Sequence, residues 1–385
     1  MKKLFNLENL IYLTIFALPC YLVRFSLFGF PTNALDVLIS ACLFSGWVLY
    51  RKKINYLVFF KNYRPFIFSA GLIFGGLLSS SLVAGNYGAG FGVIKSWFLL
   101  PILFSLVAGL AIEKEKRRNI LFAYYASAFF VALSAWGYFI FQVMTYDGRL
   151  QGFFNSPNYL AMYLAPAIFV FYGLFIEAKI KRKWLFGLSG IVILGALYMT
   201  YSYAGWLATL GAVVLALGIE KKLSWKTWLI GVLLSGALFF SQTGMDKFQG
   251  IINLDERASF SSRIMIWRSA EKMLENSWLW GIGAGNFQVK YLEYQKYFPP
   301  YLEWAVPHPH NLYLTFWLYG GIFGLAGFLA LIGFWFRKIF RTQKNPTLKF
   351  IGLGIMLYFL LHGLVDTTYF KNDLATLFWL LFVLL

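Results

Sequence analysis

The chain has 385 residues, 59% of them hydrophobic and 21% aromatic, and a formal net charge of +18 although only 13% are charged. Soluble domains hold roughly 45–50% apolar residues and about 25% charged ones, so an ordinary water-soluble domain is excluded. Disorder needs low hydrophobicity with high charge, and a nucleic-acid binder clusters Lys and Arg on one soluble face; neither pattern is present here.

Apolar runs of about 17–25 residues are long enough to cross the hydrocarbon core as helices. Twelve are legible, centred near Ala17, Cys42, Ile73, Leu103, Ala132, Ala167, Val192, Gly211, Leu234, Ala326, Met356 and Phe378. The opening MKKLFNLENL with its apolar run is similar to a secretory signal, but no small-residue cleavage site follows ahead of a soluble domain, so it reads as a retained first span. The two cysteines, Cys20 and Cys42, lie inside apolar stretches without framework or zinc spacing.

Orientation follows from Lys and Arg in short loops. With the N-terminus in the cytoplasm, about two thirds of the 34 Lys+Arg fall in segments 2–3, 51–64, 114–118, 179–183, 221–226 and 337–349, all on the inner side. The outer side carries as many acids as bases, so the +18 excess is an orientation signal rather than a partner-binding surface. The fold class expected is all-α: a polytopic membrane protein of about 12 transmembrane helices with one large helical extracytoplasmic loop. Residues 1–241 hold spans one to nine, 242–310 the outer loop, and 311–385 the last three spans, with both termini cytoplasmic.

In chain order, the outer span ends carry Arg24, Asp36, Lys95, Arg149 and Asp366, and all three histidines, His308, His310 and His362, fall on that side. Ionisable groups near membrane depth are costly and mark function, although long side chains also snorkel to an interface. For Arg24 and Lys95 both readings stand. In DGRLQGFFNSPNYLAMYLAPA the only cation is Arg149, ahead of a turn at Asn155, Pro157 and Asn158 and the helix that starts there. An Arg at a helix start beside a membrane surface matches an anionic headgroup, though such a turn requires no function.

Within the loop, SSRIMIWRSAEKMLENS spaces Ile266, Trp267, Ala270, Met273 and Leu274 on one helical face, with Ser261 or Ser262 as cap. Arg263 then sits in the first turn, where a guanidinium fork and free amides suit phosphate; an interfacial surface Arg is the alternative. WGIGAGNFQ lacks the strand and spacing of a nucleotide loop and reads as a tight turn to a second helix near Phe287–Tyr297. VPHPHNLYLTFW sets His308 and His310 on a stiff stretch before a span. Histidine titrates near neutrality and suits proton acceptance, but an isolated pair also suits a backbone-bonded or metal-binding role, and no neighbouring Cys or carboxylate set completes a metal site.

GRLQGFFNSPNYLA, SSRIMIW, GIGAGNF and HPHNLYL, in this order along about twelve spans, resemble the O-antigen ligase and O-antigen polymerase superfamily of bacterial envelope glycosyltransferases. The closing HGLVDTTYFKNDLATLFW is similar to the endings of ligase-like members. The resemblance covers roughly Gly148 to the C-terminus, and the earlier spans by count alone. It implies a metal-independent, cofactor-free enzyme at the outer face of the inner membrane, moving a glycan from a polyprenyl-pyrophosphate donor to a glycan, lipid or protein acceptor among membrane lipids, with no nucleic acid. By motif, His310 resembles the family's base, Arg263 its pyrophosphate-binding arginine and Arg149 the arginine of its R-x-x-G loop, with His308 as a helper.

One departure stands out. TYSYAGWLA has Tyr203 where members of the family commonly carry an arginine, and a phenol brings no charge. Arg149, Lys95 or Arg24 then supplies the missing cation, or the chemistry is altered. A polymerase of the same family shares the donor and differs in the acceptor. A small-anion or solute transporter also fits twelve spans, yet transporters gather polar groups near the midplane rather than at one face. A non-catalytic assembly subunit is the third alternative, and Tyr203 favours it.

Overall fold

The structure is a computed structural model that describes residues 6–27, 29–51, 56–244, 248–249, 259–299 and 305–384. Lys2, Lys3, Lys52 and Lys53, which enter the orientation argument, and positions 245–247, 250–258 and 300–304 of the segment expected as a loop lie outside the described residues.

The described chain is built of helices: α1 Leu7–Phe16, α2 Ala34–Tyr50, α3 Tyr56–Ala84, α4 Tyr87–Ala111, α5 Arg118–Ile140, α6 Pro157–Glu177, α7 Ile180–Met199, α8 Tyr203–Ile219 and α9 Trp225–Phe240. They continue with α10 Ser259–Ser277, α11 Phe287–Tyr294, α12 Leu312–Thr342, α13 Pro346–His362 and α14 Asn372–Leu380. Among the described residues five helical segments are long and apolar enough to cross a membrane: Arg64–Ala84, Tyr87–Ala111, Lys114–Ile140, Pro157–Glu177 and Leu312–Thr342. Shorter apolar helices at Leu7–Phe16, Ala34–Tyr50, Tyr203–Ile219, Trp228–Leu238 and Pro346–His362 fit the same polytopic membrane architecture. Large apolar side chains such as Phe44, Phe68, Ile191, Leu207 and Leu233 are exposed around the bundle, as helices solvated by lipid require.

The all-helical architecture has one addition. Arg24–Leu27 (β1) pairs antiparallel with Phe30–Asn33 (β2), Arg24 opposite Asn33. Gly29, at φ +83°, sits in the turn between them, and four-residue strands are too short to leave a periodic signal.

Side-chain caps fix the helix starts. Asn33 accepts from the Asp36 N–H at 2.9 Å to begin α2, Ser156 accepts from Asn158 N–H at 3.2 Å to begin α6 with Pro157 in its first turn, and Asn311 accepts from Tyr313 N–H and Leu314 N–H, both at 3.0 Å, to begin α12. The second and third of these caps lie beside the polar site described below.

Helices α3 and α12 approach so closely that a Cβ on Gly76 would lie 2.3 Å from the Gly320 carbonyl oxygen. Packing of this kind through small residues is how helices associate where lipid removes the hydrophobic drive between them. At Gly321, φ +62° and ψ −164°, α12 kinks, and the break is repaired by the loop. Ile282 N–H donates to Leu318 O at 2.7 Å, and Ile322 N–H donates to Trp278 O at 3.1 Å. Gly281, Gly283 and Gly285, all at positive φ, make the tight turn that allows this docking, and Gly283 N–H also donates to Ser80 Oγ at 2.8 Å. The segment GIGAG is therefore a backbone plug in a broken helix.

An aromatic cluster of Phe98, Phe316, Phe328, Tyr369, Phe370 and Phe378 joins α4, α12, α14 and the connection between α13 and α14. Phe316 and Phe328 stack at 4.0 Å between centroids, an arrangement worth roughly 0.5–1.5 kcal/mol beyond its buried area. Almost all of α14 is buried, so the last apolar segment packs within the bundle.

Candidate active site

The connection after α13 turns back at once. Asp366 N–H donates to His362 O at 3.0 Å and Thr368 Oγ1 donates to Phe359 O at 2.8 Å, which sets the Asp366 side chain at the end of the bundle with its carboxylate only 1% exposed. Four groups meet it. His310 Nδ1 lies 2.9 Å from Oδ1, Thr367 N–H donates to Oδ1 at 2.8 Å, Asn158 Nδ2 donates to Oδ2 at 3.2 Å, and an Arg263 terminal nitrogen lies 3.7 Å from Oδ2. Burial opposes ionisation of Asp366, but the attraction and hydrogen bond of His310, with Arg263 behind them, outweigh it and hold the carboxyl well below the usual range.

His310 is poised by both backbone and ring. Its φ of +46° is a left-handed conformation that non-glycine residues seldom adopt, and such strain concentrates where surroundings over-determine a functional residue. Trp267 Nε1 donates to Pro309 O at 3.0 Å and reaches His310 O at 3.4 Å, so the amphipathic helix α10 holds the histidine segment in place. With an ionised carboxylate at Nδ1, that nitrogen carries the proton and Nε2 is left as the acceptor. The side chain is 27% exposed.

Arg149 joins the same network through one bridge. Its loop is closed by Thr145, whose Oγ1 accepts from the Arg149 N–H at 2.9 Å. The guanidinium donates through Nε to Thr200 O at the end of α7 at 2.8 Å and through a terminal nitrogen to Asn158 Oδ1 at 2.8 Å. Asn158, in the first turn of α6, thus accepts from Arg149 and donates to Asp366. Burial presses the Arg149 pKa downward, nearby Asp147 opposes this, and Arg263 adds to it, so two guanidinium groups share one small region. Arg263, 15% exposed, has a buried Nε with no hydrogen-bond partner among the described residues.

The other sequence candidates lie around this centre. His308 Nδ1 is 3.4 Å from Tyr319 Oη and its ring meets Trp97 edge-on. Burial, then the neighbouring His310 and Lys371, push the His308 pKa down to about 3, so it is neutral at physiological pH. Tyr203 donates to Gln242 Oε1 at 3.1 Å and packs its ring against Trp206 and Phe248. Lys95 instead pairs with Asp36 at 3.4 Å and donates to Pro31 O, and Arg24 is on the exposed strand β1. The structure therefore brings together His310, Arg263 and Arg149; Lys95 and Arg24 lie instead beside the N-terminal hairpin, where Asp36, the partner of Lys95, also accepts from Asn372 Nδ2 at 3.1 Å.

Sequence reasoning noted Asp366 only as a charge at a span end and Asn158 only as a turn residue. Both fall inside quoted motifs, but 208 residues separate them along the chain, and no spacing rule links them.

A mainly helical chain with the apolar helices of a polytopic membrane protein, and with a buried carboxylate, a histidine and two arginines gathered beside helix α10, defines the class. Residues 188–329 match the family model described as O-Antigen ligase, so this part of the chain is similar to that family. The matched segment contains Tyr203, Arg263, His308 and His310; Arg149, Asn158 and Asp366 lie outside it. The chain matches none of the curated proteins.

Proposed function

We propose that the protein transfers a glycan from a polyprenyl-pyrophosphate donor to an acceptor hydroxyl at the outer face of the inner membrane. The single observation that carries this reading is the 2.9 Å contact of Asp366 with His310 Nδ1, made while Arg263 approaches the other carboxylate oxygen. His310 Nε2 takes the acceptor proton, the acceptor oxygen forms a bond to the anomeric carbon, and the bond from that carbon to the pyrophosphate oxygen breaks. Arg149 and Arg263 face the charge that grows on the departing pyrophosphate, so they stabilise the transition state more than the ground state. The proton on His310 leaves to solvent, and Asp366 steadies the transient imidazolium.

Two arginines supply the positive charge that a divalent cation supplies at other pyrophosphate sites, and activity in the presence of a chelator is the expectation. Twelve spans, cytoplasmic termini, spans one to nine within 1–241, an outer loop at 242–310 and the last three spans within 311–385 complete the proposal. The match over residues 188–329 supports the ligase-like reading and equally supports a polymerase that uses a growing polysaccharide as acceptor. Clustering of ionisable groups at one end of the bundle favours interfacial transfer over solute transport.

The test is a bacterial strain without its own ligase or polymerase. Wild-type protein restores the mature glycan and depletes the lipid-linked precursor, whereas His310→Ala and Arg263→Ala do not. An identical glycan profile in all three would falsify the enzymatic reading.

A further inference from the structure

Between α13 and α14 one more cation lies close to this site. Lys371 Nζ is 3.3 Å from the centre of the Tyr159 ring and 5.7 Å from that of Tyr21, whose hydroxyl it reaches only at 3.5 Å. Among the described residues no carboxylate comes within 4.0 Å of it. Tyr159 directly follows Asn158, which bridges Arg149 to Asp366, and Asn372, directly after Lys371, accepts from Trp97 Nε1 at 3.1 Å, while the Trp97 ring meets His308. Lys371 therefore stands beside the histidine segment, next to residues that build the His310 network.

An ammonium largely removed from water with no carboxylate in direct contact is expensive, and two aromatic faces repay only part of that cost. Burial, with Arg24 adding to it, pushes the Lys371 pKa down to about 8 against the opposing pull of Asp373 and Asp366. A cation of this kind, held on aromatic faces beside a polar site and out of direct contact with any described carboxylate, is suited to bind an anion.

We propose that Lys371 is a third cation of the donor site and binds the phosphate-type anion of the lipid-linked donor together with Arg149 and Arg263. The inference rests on the donor class given above. The position following Tyr369 and Phe370 in YFKND holds the ammonium on a pinned connection, since Tyr369 Oη donates to Trp97 O and Phe370 packs into the aromatic cluster. A short rigid tether of this kind delivers charge to a fixed point, as a bound diphosphate requires.

The experiment uses the full chain in lipid nanodiscs and measures binding of polyprenyl pyrophosphate and of polyprenol of equal length. The wild type, Lys371→Met, Lys371→Arg and His310→Ala are compared, with inorganic phosphate as competitor and thermal unfolding recorded for each. Lys371→Met weakens polyprenyl-pyrophosphate binding about tenfold or more, leaves polyprenol binding unchanged and changes the unfolding temperature little, because an apolar chain of similar shape keeps the packing on the Tyr159 and Tyr21 rings and relieves the cost of a partly buried charge. Lys371→Arg keeps most of the affinity, and phosphate competes with the wild type more strongly than with Lys371→Met. Wild-type-like binding by Lys371→Met, or a parallel loss of polyprenol binding and thermal stability, overturns the role of Lys371 alone. A wild type that binds polyprenyl pyrophosphate no better than polyprenol overturns the donor class, and this inference with it.

Discussion

Asp366 Oδ1 lies 2.9 Å from His310 Nδ1, and the carboxylate that orients the ring is itself only 1% exposed. An Asn at position 366 keeps the shape but offers an amide in place of the charge, which loosens the tautomer that leaves Nε2 free. Asp366→Asn is expected to lower turnover by about 10²–10⁴-fold with a smaller effect on donor binding, as read by initial rates of glycan transfer. Unchanged turnover would separate Asp366 from the chemistry.

Asn158 is the only described residue bonded to both Arg149 and Asp366. Asn158→Ala leaves a buried guanidinium and a buried carboxylate each short of one partner and is expected to cost about 1–3 kcal/mol of stability. The effects of Asn158→Ala and Asp366→Asn on the unfolding temperature are expected to be less than additive, because both act on one network. Strict additivity in the double variant would show that the bridge carries no coupling.

Gly321 has φ +62°, and a Cβ there would lie 2.0 Å from Leu279 O. Gly321→Ala therefore both strains the backbone, at about 1–2 kcal/mol, and drives the loop turn off the kinked helix. Gly333, on the same helix with nothing within 4 Å of its added Cβ, is the control. The first variant is expected to unfold at clearly lower temperature or to fail to accumulate in the membrane, and Gly333→Ala to behave as the wild type.

His308 has its pKa lowered to about 3 in the folded protein, against about 6.5 for a free imidazole. As pH falls from 6.5 toward 3 the unfolded chain binds a proton that the folded one refuses, so stability drops over that window. His308→Gln is expected to reduce the slope of stability against pH between 6.5 and 4.5. Asp366 acts in the same sense but lower down: its folded pKa is depressed, and its contribution, present above the ordinary carboxylate range, is lost at still more acid pH. An unchanged slope in His308→Gln would mean that the ring is not neutral in the fold.

Lys371 titrates in the folded protein near pH 8, so its charge, and the anion affinity it brings, fades as pH rises through that value. Donor binding is expected to weaken above pH 8 in the wild type and to stay level in Lys371→Arg, whose guanidinium remains charged. Identical pH profiles for the two proteins would show that this ammonium does not meet the donor.

Local pattern carried much of the fold. Apolar runs located most of the helices, although α14, where a twelfth span is expected, has 9 residues and is almost wholly buried, and the spacing of Ile266, Trp267, Ala270, Met273 and Leu274 matches α10, in which Ile266, Ala270, Met273 and Leu274 are buried. The tight turn at Gly281–Gly285 was also legible, but its partner was not: repair of the α12 kink depends on Leu318 O and Ile322 N–H, which no local signal exposes. Likewise His310, Arg263 and Arg149 stood out as ionisable groups beside spans. Asp366 is legible only as a charge at a span end and Asn158 only as a turn residue, and Lys371 carries no signal, because their meaning comes from contacts made across the bundle; the pairing of Lys95 with Asp36 is of the same kind.

The most direct measurement is glycan transfer by the purified full chain in liposomes, with a polyprenyl-pyrophosphate-linked glycan as donor, membrane extract as acceptor and chelator present. The account predicts that glycan appears on the acceptor in step with release of polyprenyl pyrophosphate, and that His310→Ala abolishes both while donor binding persists. Transfer by His310→Ala at the wild-type rate would contradict it.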